Sequence, residues 1–409
     1  MTGFYNLMSL LNLALNYEEL EREEIKERLD KLNIEGSDWE KLISLAKDNS
    51  VTGLLYEILK DYDRIPETEF EIVCHDTKKL CKKNYRFLVE AVQIKRLFQK
   101  AGISFCILKG LAAAEDYPVP DVRKSGDLDI LLTEPADIKK VIKLLEKLSY
   151  KVEEEQLANH HVKLRNKDKY PVEVHTMLVE PLDNKKTNKY LEKLLPDCKK
   201  HIITKNIMGA ELPVLEDGYH AYELLMHMLQ HFLRAGFGIR MLCDWVVFWN
   251  RGTDEKNREY YLKLVRESKV EGFSDTITRV CVKYLGLRRD AVSWMNLYDN
   301  SKSRNEYDDE AESFILDIME SGEFGKGKEG RMVAIRGDGI FDYVREFHHQ
   351  MNLNFPKAGK IPLFWPVLWI ITYVRFMKNN KKIRSVSSKE IFEKAKKRGK
   401  LVKSMNLFK

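Results

Sequence analysis

The chain has 409 residues, 44% of them hydrophobic and 32% charged, with a formal net charge of +6. That length and balance describe a soluble globular protein with room for two or three domains, and they exclude a disordered or collagenous chain. The surplus of positive charge is too small for a dedicated nucleic-acid binder, so no stable nucleic-acid partner is expected, while an anionic substrate such as a nucleotide is compatible with it.

The six cysteines (Cys74, Cys81, Cys106, Cys198, Cys243, Cys281) are scattered and form no CxxC pair. They argue for a reducing compartment and against a disulfide framework or structural zinc. Met1-Thr2-Gly3-Phe4-Tyr5 lacks the basic and long apolar regions of a signal peptide. No uninterrupted apolar segment reaches the ~20 residues of a spanning helix. The expected location is the cytoplasm.

Residues 1–65 read as helices, with Leu7, Leu10, Leu11 and Ala14 at helical spacing and a helix start at Ser37-Asp38-Trp39-Glu40. A long helix is expected over Glu67–Lys100, stopped by Ala101-Gly102; its lysines read as a solvated face. A strand then covers Ile103–Leu108, a short segment Leu111–Asp116, and Tyr117-Pro118-Val119-Pro120 an extended loop. A second strand covers Leu128–Leu132, and an amphipathic helix Pro135–Leu148. Short strands follow at Tyr150–Val152 and His160–Leu164, with Tyr170–His175 returning after the polar turn Asn166–Lys169. Helical patterns resume at Tyr219–Leu233, Met241–Trp249, Tyr260–Leu264 and Ile277–Leu285. Ser321–Gly330 reads as a hinge. The aromatic, apolar stretch Ile361–Phe376 precedes a basic tail; it lacks a clean polar face, so membrane contact is not expected. The expected class is α+β, divided as an N-terminal helical segment (1–65), an α/β core (66–215), a helical domain (216–325), and a linker with C-terminal helices (326–409).

The chemistry centres on Phe105-Cys106-Ile107-Leu108-Lys109-Gly110 and Gly126-Asp127-Leu128-Asp129. Spacing i, i+2 on a strand sets Asp127 and Asp129 on one side, where two carboxylates repel unless a cation joins them, and Mg²⁺ prefers such oxygens. Glu173, between Val172 and Val174, completes a triad if its strand lies beside that of Asp127. Two metals could then clamp the attacking and leaving oxygens of a phosphoryl displacement. The competing reading is a chance DxD pattern, with Glu173 paired to a lysine on the sheet surface. His175 shares the Glu173 face and could reach the same site or be a half-buried structural histidine. Of His160 and His161, at most one faces the site. Glu223, His227 and His231 share a helix face as a polar seam toward a cleft, in preference to a zinc site. Arg240 and Asp244 form an i, i+4 pair, by default an ion pair and otherwise a cleft contact.

Those motifs together resemble the nucleotidyltransferase superfamily of polymerase-beta-like fold. They are most similar to a bacterial family of uncharacterised nucleotidyltransferases in which Lys-Gly replaces the superfamily's Gly-Ser. Leu108-Lys109-Gly110, Tyr117-Pro118, Arg123, Gly126-Asp127-Leu128-Asp129, Val172-Glu173-Val174-His175, His227 to His231 and Arg240 to Asp244 carry the resemblance, over roughly residues 35 to 330. It implies a mixed β-sheet core and Mg²⁺-dependent transfer of a nucleoside monophosphate from an NTP, such as ATP, to an acceptor hydroxyl. Asp127, Asp129 and Glu173 would be the catalytic metal ligands, with Glu173 alternatively a general base. Lys109, Gly110, Arg123 and Gly126 would bind the nucleotide, and His175, His227, His231, Arg240 and Asp244 would line the cleft. Two departures stand out: the loop before the aspartates is longer than usual, and Thr176 stands where the family has Trp. The alternative is a catalytically silent nucleotide- or partner-binding protein that retains the fold.

Overall fold

A computed structural model describes residues 2–153, 161–182, 184–234, 236–298, 302–321, 344, 347–348, 351–352, 354–355, 358–383 and 399–408. His160 and most of the expected hinge, from Gly322 to Gly330, lie outside them.

The class is α+β. The N-terminal helices are α1 (Thr2–Asn16), α2 (Arg22–Lys31), α3 (Gly36–Asp48) and the single turn α4 (Tyr56–Leu59). The long α5 (Glu67–Lys100) runs over the expected range. It ends as the sequence suggests: Gly102 takes φ 67°, its N–H donates to Gln99 O at 3.1 Å, and Ile103 N–H donates to Phe98 O at 2.9 Å. This double bond pattern needs a left-handed residue after the helix, which glycine supplies without strain.

The core then alternates: β1 (Phe105–Ile107), α6 (Lys109–Ala112), β2 (Leu128–Leu132), α7 (Ile138–Glu146), β3 (Lys151–Val152), β4 (His161–Arg165), β5 (Val172–His175), α8 (Lys185–Leu191), α9 (Leu194–Cys198), β6 (Ile202–Ile207) and β7 (Ala210–Leu215). The strands make one seven-stranded mixed sheet in the order β3-β4-β5-β2-β1-β7-β6. The β2–β5 and β1–β7 pairs are parallel and the others antiparallel. The β6–β7 hairpin has no counterpart in the sequence reading. Its two-residue turn, Met208-Gly209, has positive φ at both positions (49° and 85°). That geometry matches the twist of hairpin strands and usually takes Asn-Gly, so methionine disguises it.

Period-two alternation gives the sheet two different faces. Leu128, Ile130 and Leu132, with Val172, Val174, Val162 and Leu164, pack against Phe87, Ala91, Ile94 and Phe98 of α5 and Val141 and Leu145 of α7. The opposite face carries Cys106 and Leu131 at its middle, and these join a second, larger core. That core is formed by α10 (Asp217–Arg234), α11 (Arg240–Asn250), α12 (Glu255–Ser268), α13 (Glu271–Tyr284) and α14 (Arg304–Ser321), together with the N-terminal helices. Helix α1 packs on α11 and α13. All six cysteines are free, four of them buried. Among the described residues no helix is long and apolar enough to cross a membrane.

One side chain of α5 ties this scaffold to the loop before β2. Buried Asn84 donates through Nδ2 to the carbonyls of Asp121 (2.6 Å) and Arg123 (2.8 Å). Asn84→Ala leaves both acceptors short of a donor and is expected to cost about 1–3 kcal/mol. Denaturant unfolding of the variant reads this, and an unchanged midpoint would show the contacts to be dispensable.

Candidate active site

The chemistry lies on the sheet face opposite α5. Because Leu128 and Ile130 point into the α5 core, Asp127 and Asp129 point away from it; the same parity turns Glu173, His175, His161 and Lys163 to that side. Register does the rest. Asp129 stands directly beside Glu173 across the parallel β2–β5 ladder, and Glu173 stands beside Lys163 across the antiparallel β4–β5 ladder.

Two lysines and a histidine hold the three carboxylates. Lys109 Nζ donates to Asp129 Oδ1 at 3.2 Å, and His175 Nε2 lies 2.9 Å from the same oxygen. Lys163 Nζ donates to Glu173 Oε1 at 2.6 Å and to Asp127 Oδ2 at 3.4 Å. The expectation that Glu173 meets a lysine is therefore met inside the acidic cluster itself. Burial would raise the Asp129 carboxyl, yet Lys109 and His175 hold it well below its ordinary range. Asp127 goes the other way: burial, then the charges of Asp129 and Glu173, push it up to about 6. For Lys109, burial opposes the charge, and Asp129 and its acidic neighbours more than restore it.

Lys109 has a backbone φ of 44°. A non-glycine residue in the left-handed region costs on the order of 1–3 kcal/mol and persists only where the surroundings fix it. Here the following residue is held on the other side. A β-carbon on Gly110 would sit 3.3 Å from Arg123 Nη1 and 3.7 Å from Ser125 Oγ. Glycine at this position therefore makes room for the Arg123 guanidinium. Gly126, just before Asp127, is exposed, and a β-carbon added there would meet nothing within 4 Å.

The structure gives Arg123 a partner that the sequence reading did not. Its guanidinium is 3% exposed and forks onto Asp244 of α11, with Nη2–Oδ2 at 2.7 Å and Nε–Oδ1 at 3.1 Å. Tyr117 Oη donates to the same Asp244 Oδ1 at 2.7 Å. Asp244 thus accepts from the loop before β2, in addition to standing i, i+4 from Arg240, whose charge also acts on its carboxylate. Arg240 Nη1 reaches the Lys124 carbonyl, at 3.3 Å. Burial would lift the Asp244 carboxyl, but Arg123 keeps it below its ordinary value. Arg123 and Asp244 act as a buried clamp under the site and not as an open phosphate contact.

Helix α10 closes one side. Lys109, His175, Glu180, Glu223, His227 and Gln230 help line a cavity of about 20 Å³, room for a single water molecule. His227 and His231 stack edge to face, ring centres 4.5 Å apart. Burial, then the Lys109 charge, push His227 well below its ordinary pKa, so it is a neutral ring. His161 Nδ1 lies 2.8 Å from Glu180 Oε1, at the edge of the same group. Lys163 and Glu180 are the participants that sequence reasoning missed, and Tyr117, part of the matched motif, has in Asp244 a partner that reasoning did not assign. For Lys163 a signal existed: a hairpin turning at Asn166–Lys169 puts residue 163 opposite residue 173.

A sequence profile described as "Uncharacterised nucleotidyltransferase" matches residues 35–286. The chain belongs to this uncharacterised nucleotidyltransferase family. The matched span contains the whole sheet, the carboxylate cluster, the Arg123–Asp244 clamp and α10. No curated protein matches the chain. Among solved structures, the crystal structure of an antigenic nucleotidyltransferase-like protein from Paracoccidioides brasiliensis is similar at 14% identity; the match covers 49% of this chain and 92% of that one, with a TM-score of 0.29.

Two predictions follow from the site of this nucleotidyltransferase family member. Asp244→Ala strands a buried guanidinium and is expected to destabilise the protein by about 3–5 kcal/mol; a change below 1 kcal/mol by denaturant titration would mean that Arg123 finds another acceptor. The second concerns Glu223, a buried carboxyl whose Oε2 has no hydrogen-bond partner. Burial pushes it up to about 8 from an ordinary 4.5, against the pull of Lys109. Between those values the folded protein binds more protons than the unfolded chain, so this group's contribution to stability falls as pH rises. Glu223→Gln removes the titration. The variant should therefore gain on the parent by about 1.4 kcal/mol per pH unit across the window. Unfolding titrations of both proteins through that range test it, and a pH-independent difference would refute it.

Proposed function

We propose that this protein is a Mg²⁺-dependent nucleotidyltransferase that moves a nucleoside monophosphate from an NTP to an acceptor hydroxyl on a small molecule, an RNA or a protein. The observation that carries the reading is the side-by-side register of Asp129 and Glu173, with Asp127 two residues away on the same face.

The donor set fits a hard divalent cation. Carboxylate oxygens of Asp129 and Glu173 and a ring nitrogen of His175 lie within 4.8 Å of one another. Asp127 is pushed up to about 6, with Asp129 and Glu173 among the causes, despite Lys163 and Lys109 nearby. The cluster thus has unspent affinity for positive charge, and oxygen donors are what Mg²⁺ selects. Asp127, Asp129 and Glu173 would hold one or two such ions, which supply charge at the transferred phosphoryl group and at the acceptor oxygen.

The chain's own residues position the reactants. The acceptor oxygen forms a bond to the α-phosphorus while the bond from that phosphorus to the bridging oxygen of the β-phosphate breaks, releasing pyrophosphate. The hydroxyl proton passes to Glu173 where that carboxylate serves as general base in place of a metal ligand. Lys109, beside Asp129, brings an ammonium to the phosphates where the wider superfamily has a serine hydroxyl. Lys163 sets the Glu173 and Asp127 rotamers before substrate enters. Arg123 contributes from beneath, by fixing the loop through Asp244. Positioning and charge are the main resources of this chemistry.

Purified protein with each α-labelled NTP, Mg²⁺ and a cell extract should transfer label to an acceptor fraction. Asp129→Asn and Glu173→Gln should lower the rate by about 10²-fold or more in protein shown by circular dichroism to be folded at the assay temperature, and chelation should stop it. No transfer to any fraction, together with no Mg²⁺ binding by calorimetry, would overturn the reading. Nucleotide binding by the parent protein with no metal-dependent turnover, left unchanged in Asp127→Asn, would favour the silent binding protein.

A further inference from the structure

Helix Trp365–Ile383 presents an apolar face to solvent. Its inward stripe is Trp365, Leu368, Trp369 and Thr372, spaced i, i+3, i+4, i+7. Leu368 and Thr372 are buried, Trp365 Nε1 donates to Gly359 O at 2.7 Å, and Trp369 Nε1 donates to His348 Nδ1 at 3.2 Å. The outward side, which should be polar on an ordinary surface helix, is aliphatic. Val367, Ile370 and Val374, with Leu363 in the turn before the helix, lie on one line and are 58%, 65%, 42% and 82% exposed. Phe364, Ile371 and Tyr373 flank them, also exposed. Two apolar stripes on one helix leave no clean polar face, which is why the sequence pattern spoke against a membrane contact. Solvent exposure separates the stripes.

A contiguous exposed patch of this kind marks a binding surface, and charge selects the occupant. Residues 347–389 contain no Asp or Glu. Arg375, exposed beside Phe355, is followed in sequence by Lys378, Lys381, Lys382, Arg384 and Lys389. A second copy of the chain would bring two such cationic stretches together. A nucleic acid would leave the aliphatic line unused. An anionic lipid bilayer meets both demands with one surface, acyl chains for the aliphatics and headgroup phosphates for the cations.

We propose that this face lies flat on an anionic lipid bilayer, with Leu363, Val367, Ile370 and Val374 inserted and the basic stretch at the headgroups. The assignment is independent of the carboxylate cluster. It is tested by co-sedimentation of the full chain with vesicles of phosphatidylcholine alone and of phosphatidylcholine mixed with phosphatidylglycerol. Binding is expected to the mixed vesicles, weakened by salt. Val367→Ser/Ile370→Ser, at exposed positions that leave charge and core intact, should weaken it by about tenfold or more. Lys381→Gln/Lys382→Gln should narrow the difference between the two lipids. No binding to the mixed vesicles, equal binding to both, or binding indifferent to the serine pair would overturn the proposal. So would a lipid-free self-association, seen by sedimentation, or RNA binding that the serine pair abolishes.

Discussion

Three carboxylates on one face of two neighbouring strands repel each other, and much of the central architecture answers that repulsion. Lys109, Lys163 and His175 come from three different elements to meet Asp127, Asp129 and Glu173. The compensation is uneven. Asp129, held by Lys109 and His175, is driven well below the ordinary range, while Asp127 is left above it. A site poised in this way has a fixed geometry and an incomplete charge balance, which is the condition for taking up a cation.

Beneath the face, a second buried charge pair does different work. Arg123 and Asp244 join the loop before β2 to α11, with Tyr117 on the same carboxylate and Asn84 holding the loop's carbonyls from α5. The loop that delivers Asp127 is thereby gripped from both layers of the molecule. Buried pairs of this kind add little net stability over apolar packing, and their use lies in specifying one arrangement. Gly110 fits the same logic, since a side chain there would crowd the Arg123 guanidinium.

Much of this was legible in the sequence because it rests on local periodicity. The ranges of α5 and β2 follow from apolar spacing, and alternation sets Asp127 with Asp129, and Glu173 with His175, on one side of their strands; that the two sides coincide rests on the β2–β5 register. The partners of Arg123 and Asp244 were not legible, because they are 121 residues apart and each has a plausible local role. Likewise β6 and β7 escaped notice because their turn uses Met208 at a left-handed position. Lys163 was readable in principle from the hairpin register, but a lysine on a short strand attracts no attention until its opposite number is known to be Glu173.

The first helix is stitched to the far end of the family domain. Asn16 accepts from Asn250 at 2.8 Å, Glu19 pairs with Arg288, and α1 rests on α11 and α13. During synthesis, therefore, α1 can pack early on α3 and α4, while its seat on α11 and α13 exists only once the chain has been made through Tyr284. The sheet can close earlier, since its strands lie within residues 105–215. The order of assembly is set accordingly: the sheet bearing the carboxylates can form before α1 completes its contacts with α11 and α13.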